Sequence, residues 1–267
     1  MFEARYFALA SLHDPDGVCP RVIAFDEPNR VLALEDLGAA ERLDAALAHG
    51  GDVTERVATL ARFLGRVHRA TAGDASLVAQ FQNDGMRRLH GDHIFAVPYQ
   101  ADGLGLSPRL ERAAREIRAD RELVAIAAGS YERYLAPRGA LAHADVQSGN
   151  VLLPPGGGVR LLDAEIAHVG DPAFDLGTLL AHLALPSLAR GDEADARALL
   201  ASTWRAYSEA RIASSATLAE AVRYGGLELI RRTIGAARVA AVAADEAGLH
   251  VLAAGARWAR APEALPL

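Results

Sequence analysis

Two short apolar runs, Val151-Leu152-Leu153 and residues 159–162, flank Pro154-Pro155-Gly156-Gly157-Gly158 in the middle of the chain. A Pro-Gly cluster between two such runs predicts a β-hairpin. Most of the sequence around it is patterned for helix. The expected fold class is therefore α+β, mostly α: a small strand-containing front piece, then a large helical body with this hairpin at its centre.

The front piece is legible in detail. Phe2, Tyr6 and Leu9 form one apolar stripe and predict an opening helix. Asp14-Pro15-Asp16-Gly17 breaks it. Residues 21–25 and 31–34 predict a second hairpin with residues 26–30 as its loop. Leu37-Gly38 closes this unit. Asp52 and Glu55 resemble a capping box, with Val53, Val57, Leu60, Leu64 and Val67 as the apolar face behind it. Further helices are expected over 108–117, 121–135, 175–185, 193–211, 217–244 and 247–260. The ending from Pro262 to Pro266 is expected to fray. Gly103-Leu104-Gly105 follows no strand and reads as a plain loop, not a nucleotide loop.

Composition narrows the chemistry. The 267 residues suit one large domain or two small ones. All 28 basic residues are arginine. Without lysine, Schiff-base catalysis, a P-loop lysine and a kinase-type phosphate lysine are excluded within this sequence. The net charge of −6 argues against a nucleic-acid partner. No run of about 18 residues is both uncharged and strongly apolar, so no membrane partner is expected. Cys19 is the only cysteine, which precludes an internal disulfide. It fits a reducing compartment, and the start lacks a basic n-region before an apolar stretch, so a cytoplasmic location is expected.

The chemistry-bearing stretch is His143-Ala144-Asp145-Val146-Gln147-Ser148-Gly149-Asn150, then Leu161-Leu162-Asp163-Ala164-Glu165, then Gly170-Asp171-Pro172-Ala173-Phe174-Asp175-Leu176-Gly177. The order and spacing of Asp145, Asn150 and Asp163 match the catalytic loop and metal-binding turn of protein kinases. A hydroxyl attacking phosphorus needs orientation and a carboxylate to take its proton. The phosphates need a hard cation, which takes oxygen ligands such as an Asn carbonyl and carboxylates.

These motifs resemble the H-G-D-x-x-x-x-N, D-x-E and G-D-P-x-x-D-L signatures of the aminoglycoside phosphotransferase and choline kinase superfamily. That family consists of small-molecule kinases with a protein-kinase-like fold. Residues 30–38, with Glu35-Asp36-Leu37-Gly38, resemble the strand and hinge that receive adenine. Residues 225–235, with Arg231-Arg232, resemble the paired-arginine helix of the S-methyl-5-thioribose kinase branch, as does Asp163-Ala164-Glu165. The resemblance implies Asp145 as catalytic base and Asn150, Asp163 and Glu165 as Mg2+ ligands. It implies Glu35 and Leu37 as adenine contacts, and Arg231 and Arg232 as contacts to the transferred phosphate or the sugar. ATP is the implied co-substrate and a small-molecule hydroxyl the implied acceptor. Residues 1–38 then correspond to a remnant of the N-lobe and hinge, and 39–267 to the helical C-lobe.

Several of these residues also have plainer roles. Asp171 and Asp175 fit a helix cap and a loop anchor better than chemistry. His143 fits loop support, and His68 packing or surface. His90-Gly91-Asp92-His93 lacks a further spaced ligand and reads as a loop. Neighbouring residues on a helix diverge by about 100°, so at most one of Arg231 and Arg232 is expected to be central. Glu35 also fits an ordinary strand-end carboxylate.

Three departures from the family pattern stand out. Ala144 replaces the usual glycine and is tolerable only with a negative φ. Asn150 stands where the thioribose kinases tend to carry Ser. Met1 falls at the helix that normally bears the lysine's glutamate partner, so the Gly-rich loop and ATP lysine are expected upstream or lost. Glu3 is then either that partner or a plain solvent-facing residue. Three readings fit: an ATP-dependent kinase, a catalytically impaired binding or scaffold relative, and a metal-dependent hydrolase built on His143, Asp145, Asp163 and Glu165. A shortened front would leave a sheet edge that invites a second copy, so a homodimer fits.

Overall fold

The computed structural model describes residues 1–102 and 104–265. Helix α1 (Phe2–Ala10) buries Ala4, Tyr6, Phe7 and Ala10. The chain turns at Gly17, whose φ of +66° suits a residue without Cβ. Strands β1 (Val22–Asp26) and β2 (Val31–Leu34) form the expected antiparallel hairpin, with Asp26 paired to Val31.

Strand β3 (Glu41–Arg42) leads into α2 (Leu43–Ala48). Helix α3 (Thr54–Ala70) buries the expected face, including Val57, Leu60, Leu64 and Val67. The capping box does not form. Asp52 accepts the Thr54 N–H, one residue earlier than the Glu55 N–H the box requires, and Glu55 pairs with Arg62 instead. Helices α4 (Ala75–Gln80) and α5 (Asp84–Gly91) follow. A π-helical turn over Asp92–Ala96 and α6 (Val97–Gln100) come next. The His90–His93 stretch is thus helical, not a loop. His90 is buried against the Tyr134 hydroxyl, and no group of three or more His, Cys, Asp or Glu able to hold a metal is found among the described residues. Gly103 of the Gly-Leu-Gly stretch lies outside the described residues, while Gly105 sits in a loop.

Helices α7 (Pro108–Ala119) and α8 (Arg121–Leu135) are capped by Ser107 and Asp120, whose side chains accept the Leu110 and Leu123 N–H groups. The centre contains β4 (Ala140–Ala142), β5 (Val151–Leu153), β6 (Arg160–Leu161) and β7 (His168–Gly170). Strands β3, β5 and β6 form one antiparallel sheet, and β4 pairs with β7 in another.

The chain ends in α9 (Ala173–Ala189), α10 (Glu193–Arg211), α11 (Ser215–Ile234) and α12 (Asp245–Arg260). The single helix expected over 217–244 is two elements. Helix α11 stops at Gly235, and a 3-10 turn over Ala240–Val242 leads into α12. The expected helix ran on because the Ala- and Val-rich stretch beyond keeps helical character, although Gly235 is itself a helix-stop residue. Pro262–Ala264 forms a 3-10 turn rather than a frayed end, and Pro266 lies outside the described residues.

Helix α9 is apolar almost all round, and nearly every residue of it is buried. A helix of that kind belongs at the centre of a core. It runs under the 143–150 loop, with α11 packed across it at Gly177 and Gly225.

Candidate active site

The loop after β4 hangs on one buried carboxylate. Asp175, in the first turn of α9, accepts the N–H of His143 and of Ala144, each at 2.8 Å. It also accepts from His68 Nε2 at 3.0 Å, and the Tyr207 hydroxyl holds the other ring nitrogen of His68. Burial pushes the Asp175 carboxyl up, but its hydrogen bonds and the nearby imidazoles hold it below its ordinary value. Asp171 caps α9 through the Ala173 N–H. Both aspartates are anchors, and His68 is a buried brace.

Ala144 has a φ of +69°, against the expectation of a negative value. The left-handed conformation costs an L-residue about 1–2 kcal/mol. The two N–H bonds to Asp175 over-determine the backbone here and hold it there. His143 supports the loop, as expected. Its Nδ1 accepts the Asp145 N–H, its ring meets Tyr6 edge-on at 5.2 Å, and burial drives its pKa down to about 4.

Asp145 is 8% exposed. Its Oδ2 accepts from Asn150 Nδ2 at 2.8 Å and from Gln147 Nε2 at 3.1 Å. No hydrogen bond from the described residues reaches Oδ1. Asn150 also spends its amide nitrogen on the Asp145 carbonyl, so its own carbonyl oxygen is left for another partner. Burial raises the Asp145 pKa, and Arg232 opposes that shift.

Arg231 and Arg232 are both buried, against the expectation that at most one is central. The reason is Glu228, three and four residues earlier on α11. It takes Arg231 Nη1 on both carboxylate oxygens, at 3.0 and 3.1 Å, and Arg232 Nε at 2.6 Å. Burial alone would raise the Glu228 pKa, but the two guanidiniums hold it well below the ordinary value. Arg232 Nη2 reaches Gln147 Oε1 at 3.0 Å. His182 Nε2 lies 3.2 Å from Glu228, and its Nδ1 lies 3.1 Å from the Ser148 hydroxyl.

Asp163 also has a left-handed backbone, with φ +68°. Its N–H donates to Glu3 Oε1 at 3.1 Å, so Glu3 is a half-buried contact of the site rather than a solvent-facing residue. Burial, then the Glu165 charge, pushes Asp163 up. Burial, then Asp163, pushes Glu3 up. Glu35 ends β2 with its carboxylate on the Arg21 N–H and on Arg160, and the Arg21 hydrogen bond lowers its pKa. Asp36 closes a turn onto the Gly38 N–H, and Leu37 between them is half-buried.

A cleft of about 690 Å3 opens beside the loop. Gln147, Ser148 and His182 line its polar side, and Arg42 and Asp44 its rim. Gln147, Ser148, His182 and Glu228 were not singled out from the sequence, and Glu3 was weighed only as the lysine's partner or a solvent-facing residue, not as a contact of Asp163. Only Glu228 had a local signal, since a carboxylate three and four residues before two arginines shares their helix face. The others act through partners far away in the chain.

The family model described as "Phosphotransferase enzyme family" matches residues 1–211. The chain is 28% identical over 264 residues to a methylthioribose kinase of Erwinia tasmaniensis, covering 83% of this chain and 66% of that protein. It is 27% identical over 270 residues to a methylthioribose kinase of Bacillus cereus, covering 89% and 68%. The chain thus spans about two thirds of the length of these relatives. Two solved structures share its fold. A choline/ethanolamine kinase family protein from Mesorhizobium loti matches with TM-score 0.53, 18% identity, and coverage of 98% of this chain and 80% of that one. An aminoglycoside phosphotransferase from Alicyclobacillus acidocaldarius matches with TM-score 0.51, 19% identity, and coverage of 98% and 81%. The fold is therefore protein-kinase-like, and with the model matching most of its length this chain belongs to the phosphotransferase enzyme family.

Proposed function

We propose that the chain takes part in ATP-dependent transfer of the γ-phosphate to a hydroxyl of a small molecule, with Asp145 as the base. The observation that carries this reading is the state of the Asp145 carboxylate. Two amides occupy Oδ2 and leave Oδ1 to accept a proton. In the transfer, the acceptor O–H bond breaks as its proton passes to Oδ1. The acceptor oxygen bonds to the γ-phosphorus, and the phosphorus–oxygen bond to ADP breaks. A buried carboxylate with a raised pKa is suited to that proton.

Asn150, Asp163 and Glu165 offer oxygen donors only, the kind magnesium takes. Glu3, Asp163 and Glu165 lie close enough to act on one another: the charges of Asp163 and Glu165 help raise Glu3, and that of Glu165 helps raise Asp163. The Asn150 carbonyl oxygen has no competing donor from its own loop. Asn150, Asp163 and Glu165 would hold the ion, which supplies charge neutralisation to the phosphates. Glu35 and Leu37, at the link between β2 and the helical body, would offer backbone groups to adenine. Arg231 and Arg232 would meet the transferred phosphate or the acceptor. Glu228 balances only one of these two buried guanidiniums, which favours an anion beside them.

Methylthioribose is the first acceptor to test, because the relatives above carry that activity in their names. The reading implies a cytoplasmic setting, where ATP and magnesium are at hand. The test is Asp145→Asn in the full chain. Loss of ATP-dependent phosphorylation by about 1,000-fold or more is expected, with the melting temperature nearly unchanged. Turnover equal to wild type would remove Asp145 as the base.

A further inference from the structure

A second polar system lies beside the base, and two of its members, Gln147 and Glu228, have no part in the transfer step described above. It starts on α11. Glu228 is 1% exposed and grips both guanidiniums. From Arg232 it passes to Gln147, and from Gln147 Nε2 to Asp145 Oδ2. Residues 147 and 232 are 85 apart in sequence, so tertiary structure alone creates this link.

The chemistry of the Gln147 amide gives the link a direction. Its oxygen is taken by a guanidinium, which can only donate. That fixes the amide so that its nitrogen faces Asp145, where a carboxylate can only accept. A flipped amide would set oxygen against carboxylate and nitrogen against guanidinium. The same amide lines the cleft, so an error in its aim is felt where an acceptor would lie.

We propose that Gln147 and Glu228 are positioning residues: Glu228 aims Arg232, Arg232 fixes the Gln147 amide, and the amide holds Asp145 so that Oδ1 faces the acceptor. This rests on the phosphotransfer reading above for its consequence, though not for its geometry.

The geometry is tested on the 15N-labelled full chain. The readouts are the Arg232 Nε–H and the Gln147 side-chain amide signals in wild type and in Glu228→Asp. The shorter carboxylate keeps the charge and withdraws the oxygen. Faster exchange of Arg232 Nε–H by about tenfold, together with a shift of the Gln147 amide signals, is expected. An unmoved Gln147 amide in a variant with accelerated Arg232 exchange would overturn the link.

The consequence is tested with Mg-ATP and methylthioribose. Gln147→Leu is expected to lower kcat about tenfold or more with KM for ATP changed less than about threefold. Gln147→Glu keeps the acceptor for Arg232 but loses the donor to Asp145, and is expected to be no better. Wild-type kcat in Gln147→Glu would overturn the positioning role. No turnover in wild type counts against the transfer reading, and the resonance arm then decides the link by itself.

Discussion

Asp175 and Ala144 show how a strained residue is held. Asp175 takes two consecutive backbone N–H groups, and Ala144 pays for the turn with a φ of +69°. Glycine removes the Cβ conflict at that φ. Ala144→Gly is therefore expected to stabilise the chain by about 0.5–1 kcal/mol, less what the freer unfolded chain takes back. Thermal unfolding measures it, and a lower melting temperature would show that the strain is absent. The proposed site residues Asp145, Asn150 and Asp163 could be named from spacing, because one loop and one hairpin carry them. The contacts that Glu3 and Gln147 make could not. Each residue acts on a partner brought from another part of the chain, and no local pattern reports such a partner.

Packing between elements is governed by close approach of glycines. A Cβ on Gly177 would lie 2.3 Å from the Ala221 carbonyl oxygen on α11, and one on Gly226 would lie 2.5 Å from Gly255 O on α12. These contacts are with backbone, which cannot rotate aside. Gly177→Ala is expected to destabilise by about 3 kcal/mol or more, because α9 and α11 must separate. Gly129 on α8 is exposed, with nothing within 4 Å of its would-be Cβ. There the same change is expected to stabilise by about 0.5–1 kcal/mol through helix propensity. Denaturant unfolding of both variants tests the contrast, and equal effects would sink it. Among elements, both hairpins and most of the long helices were read from period and turn chemistry, while the helix expected over 217–244 ended at Ile234. Strands β4 and β7 were not read in this way. Ala140–Ala142 and His168–Gly170 have no strand pattern of their own and become strands only by pairing with each other.

For the whole molecule, buried histidines set the response to acid. His90, His143 and His168 are all buried, and burial drives their pKa values down to about 3, 4 and 4. The unfolded chain takes up these protons as pH falls below about 6.5, while the folded chain does not. Stability is therefore lost as pH falls from about 6.5 to 4, by about 4 kcal/mol per unit from the three together. Burial-raised carboxyls at Glu3, Asp145, Asp163 and Asp171 bind protons more readily folded than unfolded, and soften the loss at the acid end. Calorimetry from pH 7 to 4 is expected to show the melting temperature falling by roughly 10 °C per unit. A flat profile would refute neutral burial of these rings. The sequence by itself determined the α+β class, the central hairpin, and the order of Asp145, Asn150 and Asp163 along the chain, because each is a matter of local period or short spacing. Only the tertiary structure decided that both arginines are buried on Glu228 and that a buried chain from Glu228 through Arg232 and Gln147 reaches Asp145. The link from Arg232 to Gln147 joins residues far apart in sequence, and burial, which makes an unpaired charge costly, selects the partners.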